Sequence, residues 1–254
     1  MAVRTGGKGA SGLSLLVVPL KNTEGVSMRR LKVAGQISAG TSFIELDDVH
    51  VPVENLIGQE GMGMKYIMTN FNHERMNICV GVTRQARVAL SAAFEYVTKR
   101  EAFGKTLIEQ PVVRMRLADA GVKLETLSAW TDQMLYQLAN LTKADADREL
   151  GGLTAMAKAE AGRVLRACVD CAVLLFGGNG YTRTGQGELI ESKSISSVRP
   201  RAYMLTNRFP ELYREVPGAR IPGGSEDVLL DLGIRQLLKN YQSAAAKLVP
   251  QTKL

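Results

Sequence analysis

Val49-His50-Val51-Pro52-Val53-Glu54-Asn55-Leu56-Ile57-Gly58-Gln59-Glu60-Gly61-Met62-Gly63 is where this chain changes character. Upstream, apolar residues come in short runs or alternate with polar ones. Downstream they recur every third or fourth position. Gly58, Gly61 and Gly63 punctuate the change, because glycine reaches backbone conformations that a β-carbon forbids. A period near two argues for strands and a period near 3.6 for helices. The expectation is a strand-rich first part over 1–57 and a helix-rich second part over 58–254.

Working back from the junction, Leu13 to Leu20, Val26 to Val33 and Thr41 to Val51 are three strand-like runs. They are separated by Asn22-Thr23-Glu24-Gly25, Ala34-Gly35 and Ala39-Gly40. So few strands leave an edge or a face uncovered. The β-part therefore reads as incomplete.

Working forward, one long helix is expected from about Met64 to Lys99. A second runs from Pro111, well placed for a first helical turn, to Thr142, with Leu117, Leu124, Leu127, Met134, Leu138 and Leu141 on one face. A third begins near Asp145-Ala146-Asp147, where acids suit a helix N-terminus. It carries the stripe Leu153, Ala157, Ala161, Val164, Cys168, Cys171 and Leu175, and stops at Gly177-Gly178-Asn179-Gly180. Shorter helical pieces follow between Gly187 and Tyr213. A last helix opens at Ser225 as N-cap, followed by Glu226 and Asp227, and faces inward with Leu230, Ile234, Leu237 and Tyr241. Three long amphipathic helices plus this one make an antiparallel bundle.

Within the first helix, Phe71-Asn72-His73-Glu74-Arg75-Met76 interrupts an apolar stripe of Ile67, Phe71, Ile78 and Val82. The position that should fill the gap is Glu74. A carboxylate on a face built for burial is costly and wants a partner or a purpose. The bland alternative is a pairing with Arg75 or Arg84.

Composition narrows the classes. With 45% hydrophobic and 22% charged residues the chain is globular in type. The net charge of +7 suits a polyanionic partner such as a phosphorylated cofactor, nucleic acid or an anionic surface. No apolar run approaches the length of a membrane span, and the N-terminus lacks the apolar core of a secretory signal. Three cysteines do not form a disulfide framework, which points to a reducing compartment. Cys168-Val169-Asp170-Cys171 has redox or metal spacing. Both thiols lie on an apolar stripe, however, and the two histidines, His50 and His73, cannot complete a metal site at a recognisable spacing. No metal is expected. The tail Thr252-Lys253-Leu254 is similar to a weak peroxisomal address, with the mitochondrial matrix and cytoplasm as the other compartments considered.

Two further segments could bind a ligand. Several glycines at 177–180 let a backbone approach closely and offer N–H groups, although a helix stop explains them as well. Arg100-Glu101-Ala102-Phe103-Gly104-Lys105 could clamp a pyrophosphate through its guanidinium, or could simply complement a helix dipole.

Taken together, these segments resemble the acyl-CoA dehydrogenase family over nearly the whole chain and in the family's order. The junction quoted first is similar to its VP-x-x-N-x-x-G-x-x-G-x-G segment. Arg100 to Leu107 with Gln110 resembles R-x-x-F-G-x-x-L…Q, and Phe176 to Tyr181 resembles the end of Q-x-F-G-G-x-G-Y. Ile221-Pro222-Gly223-Gly224-Ser225-Glu226 falls at the turn opening the last helix. The resemblance implies a mainly α fold, a C-terminal four-helix bundle preceded by half of a β-barrel, and FAD-dependent conversion of acyl-CoA thioesters to trans-2-enoyl-CoA. It implies a homodimer or homotetramer that passes electrons to a flavoprotein or to oxygen.

By the same resemblance, FAD contacts fall on Arg100, Phe103, Gln110, Gly177, Gly178, Ser225 and Asp227. Leu174 stands where many members carry glutamine, and Asp227 is a further departure. The usual base position is occupied by Gly223, whereas Glu74-Arg75 matches members that place the base on the first long helix. Glu74 is thus the expected catalytic base, with Phe71, Arg75, Gly223 and Gly224 around the substrate. Abstracting a weakly acidic α-proton calls for a carboxylate whose pKa is raised by an apolar site. The family's N-terminal helical domain and the earlier half of its β-domain have no counterpart here, so the chain is expected to be a truncated one. Two rivals stand beside this reading. One is a DNA-associated flavoprotein relative, motivated by Arg199, Arg201, Arg208, Arg214 and Arg220. The other is a catalytically inert truncated subunit.

Overall fold

The computed structural model describes residues 1–35, 39–182 and 212–248, with side chains described as far as residue 245. Arg199, Arg201, Arg208, the tail at 252–254 and most of the short pieces expected after Gly187 lie outside the described residues. The fold is mainly helical, as the sequence implies. The chain divides into two compact units, Met1–Val33 with Ile37–His73 and Ala34–Gln36 with Glu74–Leu254.

In the first unit, β1 (Ala2–Arg4), β2 (Leu13–Leu16) and β5 (Leu56–Ile57) form an antiparallel sheet in the order β1-β2-β5. Val3 pairs with Ser14, and Leu15 with Ile57. A separate ribbon pairs β3 (Val26–Arg30) with β4 (Ser42–Leu46), Met28 opposite Ile44. Met28, Phe43 and Ile44 are exposed on it. The strands are shorter than the runs that announced them. β4 ends before Asp47 and Asp48, where Asp48 turns with φ +47°.

The glycine junction packs with the strands, which is why the first unit extends beyond residue 57. Ser14, fully buried on β2, accepts the Gly61 N–H at 2.9 Å and shares a hydrogen bond with Thr5. Gly58 has φ +71°, and a β-carbon there would lie 2.5 Å from the Tyr66 hydroxyl.

The long helix α1 (Gly63–Lys99) begins at the last junction glycine. The second unit takes its length from Glu74 onward, then the hairpin β6 (Glu101–Ala102) and β7 (Lys105–Thr106), α2 (Pro111–Asn140), α3 (Lys143–Glu149) and α4 (Gly151–Phe176). After the short α5 (Gly178–Tyr181) come α6 (Leu212–Arg220) and α7 (Glu226–Leu248). The helix expected to begin near Asp145 is two helices. Thr142 caps α3 by accepting the Asp145 N–H, and the chain breaks at Leu150 before α4.

α4 is the central element. It buries residues on every side, including Ala157, Ala161, Val164, Cys168, Cys171 and Leu175, as a helix surrounded by others must. Cys168 and Cys171 donate weakly to the Ala120 and Arg116 carbonyls of α2, and burial pushes both thiols up, Cys168 to about 12. They are core residues.

The packed face of α7 differs from the one its apolar pattern suggests. Leu229 and Gly233 are buried, while Ile234 and Tyr241 are exposed. The reason is close approach: a β-carbon at Gly152 of α4 would lie 3.0 Å from the Gly233 carbonyl oxygen, and one at Gly233 would lie 2.5 Å from Met156. Glycine decides this contact, and glycine leaves no mark in a hydrophobic stripe.

Candidate functional site

The turn between α6 and α7, residues 221–225, has few bonds of its own. Ile221 N–H reaches the Pro217 carbonyl, Gly224 N–H the Ile221 carbonyl at 3.2 Å, and Leu229 N–H the Ser225 carbonyl, which makes Ser225 the N-cap position of α7. Gly223 and Gly224 both have positive φ, +71° and +114°, conformations that side-chain-bearing residues rarely hold.

Three carbonyls at or just before this turn, those of Arg220, Gly223 and Gly224, are held by two distant cations. Arg75 of α1, 3% exposed, donates from Nε to the Gly223 carbonyl at 3.0 Å. Lys158 of α4 is fully buried and donates from Nζ to the Arg220 and Gly224 carbonyls, each at 2.7 Å. A β-carbon at Gly223 would lie 3.3 Å from Ile78, 3.5 Å from Arg75 and 3.9 Å from Lys158. Behind the turn, Arg220 pairs with Glu226 by donating from Nε and Nη2, and Arg163 reaches the same carboxylate at 3.4 Å.

The charges in this cluster act on one another. Burial lowers the Arg75 pKa, with the neighbouring Glu74 charge opposing that shift. Burial also holds the Lys158 ammonium down to about 8, with Glu226 and Glu74 opposing and Arg75 adding to the depression. The Cys79 thiol beneath is pushed up to about 12 by burial. The Glu226 carboxyl is held low by its hydrogen bond from Arg220.

Glu74 lies half-buried at the margin of the α1 core face, which runs through Met76, Cys79, Val82, Ala86, Ala89, Ala93 and Val97. The most deeply buried charge on α1 is therefore Arg75. Periodicity had singled out its neighbour. Phe71 is half-buried in the first unit. Glu74, Arg75, Gly223 and Gly224 belong to one cluster, and exposed Ser225 and Asp227 continue it onto α7.

The other predicted residues gather at the far end of α1. Arg100 is exposed, and its backbone bonds to Tyr96 and Leu107. Phe103 and Gly104, both at positive φ, form the two-residue turn of the β6–β7 hairpin. Phe103 is 97% exposed at φ +54°, an outlier for a bulky residue. Gln110 is the N-cap of α2. Tyr96 stacks on Phe176 at 4.5 Å, and Asn179 Nδ2 donates to its hydroxyl at 3.3 Å. That contact brings the end of α4, with Gly177 and Gly178, beside the end of α1. Leu174, 60% exposed, lines a groove of about 430 Å³ with Val112, Met115 and Arg116.

This end fits a planar, anionic cofactor. Positions Gly104, Gly177 and Gly178 are open to a radius of 4 Å where a β-carbon would be. An exposed guanidinium and an exposed aromatic ring accompany them. Two residues of the sites escaped the sequence. Tyr96 carries no sequence signal beyond that of an aromatic on an amphipathic helix. Lys158 has a signal, a cation set among the alanines at 155, 157, 159 and 161.

Among the described residues no three His, Cys, Asp or Glu side chains are grouped to hold a metal. No described helix is long and apolar enough to cross a membrane. Of the arginines that motivated a nucleic-acid reading, Arg220 is engaged with Glu226.

A model of the acyl-CoA dehydrogenase C-terminal domain matches residues 61–238. The chain is 64% identical to "Acyl-CoA dehydrogenase apdG" of Emericella nidulans over 98% of its own length and 52% of that protein's. It is 34% identical to "Acyl-CoA dehydrogenase AFT10-1" of Alternaria alternata over 94% of its length and 51% of that protein's. A crystal structure of a candidate acyl-CoA dehydrogenase from Mycobacterium smegmatis superposes with a TM-score of 0.78 at 29% identity, covering 93% of this chain and 55% of the other. The chain thus spans about half the length of the curated relatives it matches.

Proposed function

This chain belongs to the acyl-CoA dehydrogenase family, and on that premise we propose that it carries the base and much of the cofactor cradle for α,β-dehydrogenation of an acyl-CoA thioester. The observation that carries the reading is the Arg75–Gly223 hydrogen bond. It ties the Glu74-Arg75 pair to the glycine turn at the start of α7.

In this reading the Glu74 carboxylate takes the α-proton of the thioester. Arg75 fixes the turn and supplies a positive charge beside that carboxylate. Gly223, with no side chain, keeps a second base from the turn and lets the turn backbone pack closely against Ile78. FAD, when bound, supplies the acceptor for the β-hydrogen. Arg100 would pair with its pyrophosphate, Phe103 and Gln110 would meet its rings, and the open backbone at Gly177-Gly178 would lie against it beside Leu174. Ser225 and Asp227 would make the contacts next to the base.

One chain does not bring both clusters to one flavin. Glu74 and Lys99 are separated by about 37 Å along α1 at the ordinary helical rise. The proposal therefore includes a second copy whose Arg100 and Gly177 end completes the site, in a homodimer or homotetramer. Electrons then leave to a flavoprotein or to oxygen.

The test is anaerobic mixing of FAD-loaded protein with saturated acyl-CoAs of graded chain length, following loss of the oxidised flavin absorbance. Glu74→Gln should bind the same thioesters and fail to bleach. Equal bleaching in that variant would remove Glu74 as the base. A monomer that bleaches normally would remove the two-copy site.

A further inference from the structure

We infer that Lys158 is a positioning residue of this site, holding the Arg220 and Gly224 carbonyls and so fixing the turn beside Arg75 and Glu74. The inference rests on the reading of Glu74 as the base for its catalytic consequence, though not for its structural one.

Two consecutive glycines at positive φ have wide conformational freedom, and an irregular loop has no ladder to restrain it. The carbonyls of Ile221 and Ser225 accept local N–H groups. Those of Arg220, Gly223 and Gly224 do not, and all three are met by cations from α1 and α4. Lys158 alone meets two of the three, and it brackets the turn at both ends. A flexible tether with one point charge at its tip suits two carbonyls converging from different directions, where a planar guanidinium would not.

The peptide geometry carries this outward. In a trans peptide the C=O and the following N–H point opposite ways. With the Gly224 carbonyl turned in to Lys158, the Ser225 N–H is directed away from α4, at the exposed start of α7. With the Gly223 carbonyl turned to Arg75, the Gly224 N–H is directed back to Ile221. Lys158 thereby sets both the wall beside the base and the direction of a free-end helix donor, without itself reaching the surface. The ionisable groups facing it are Glu74, Arg75 and Cys79 of α1, Arg220 at the end of α6 and Glu226 at the start of α7.

Amide exchange and kinetics of Lys158→Met and Lys158→Gln test the idea. Methionine keeps the bulk and loses all donors, and glutamine keeps an N–H donor. Exchange at Gly224 should be at least tenfold faster in the methionine variant and intermediate in the glutamine variant, with core amides of α1 and α4 unchanged. With FAD and an acyl-CoA that bleaches the wild type, kcat should fall at least tenfold while KM stays within threefold. The wild-type rate should also decline above about pH 8 with a limb that the methionine variant lacks. Unchanged exchange at Gly224, acceleration spread evenly through the core, or a loss confined to KM would each overturn the inference. Absence of bleaching in the wild type would instead count against the proposed function, and the exchange comparison would still decide whether Lys158 holds the turn.

Discussion

Arg75 Nε lies 3.0 Å from the carbonyl oxygen of Gly223, a residue 148 positions further along the chain. A guanidinium that is 3% exposed cannot rely on water for its hydrogen bonds, so this contact positions the helix and the turn together. Removing a buried partner leaves the other group unsatisfied.

Arg75→Met should therefore destabilise the fold by about 1–3 kcal/mol. In a chain of this size that corresponds to a melting temperature lower by roughly 2–4 °C per kcal/mol. Arg75→Lys keeps the charge without the planar fork and should fall between. An unchanged melting temperature in Arg75→Met would show that the bond contributes nothing.

Stability should rise and then fall on the alkaline side. Lys158 titrates at about 8 in the native chain against an ordinary 10.5, so between those values the unfolded chain holds a proton the native chain has lost. Stability increases with pH through that window. Cys79 and Cys168 are pushed up to about 12 from 9.0, so above pH 9 the native chain keeps protons the unfolded chain has shed, and stability decreases. Urea midpoints should peak near pH 9. Lys158→Met should lose the rise and keep the decline, and a wild-type midpoint that only falls from neutral pH upward would contradict this.

Two helical glycines should respond with opposite signs to alanine. At Gly121 of α2 nothing lies within 4 Å of a new β-carbon, so Gly121→Ala should stabilise by about 0.5–1 kcal/mol through helix propensity. At Gly162 of α4 a β-carbon would lie 2.7 Å from Arg220 Cγ and 3.3 Å from Glu226 Oε1. Gly162→Ala should cost about 1–3 kcal/mol and loosen the Arg220–Glu226 pair. Chemical denaturation of both variants decides it, and equal signs would be the contrary result.

Phe176→Ala should separate the two halves of the predicted flavin end. The ring is buried and stacked on Tyr96, and its loss should cost about 3–5 kcal/mol and weaken FAD binding at least tenfold. Tyr96→Phe keeps the stack and gives up one exposed hydrogen bond, so both properties should change little. A fluorescence titration with FAD in which Phe176→Ala matches the wild type would show that these ends do not act together.

Much of the bundle was legible because its helices advertise themselves. Pro111 opens α2, Gly177 closes α4, and the stripe from Ala157 to Leu175 faces inward as its spacing says. The break at Leu150 was not legible, since the cap at Thr142 that starts α3 competes with a continuous pattern. Nor was the face of α7. There Gly233 and Leu229 are buried and Ile234 is not, because close backbone approach outweighed apolar area.

Glu74 shows where the division lies. Sequence alone determined the element types, the long first helix, the glycine turn at 223–224 and the oddity of charge near the middle of an apolar stripe. Those are local properties, set by spacing along the chain. Tertiary structure decided that Arg75 rather than Glu74 is the deeply buried charge, and that Lys158, from another helix, completes the turn. Hydrogen-bond partners separated by 62 and 148 positions leave no periodic trace, and burial of a cation depends on carbonyls that only the folded chain brings to it.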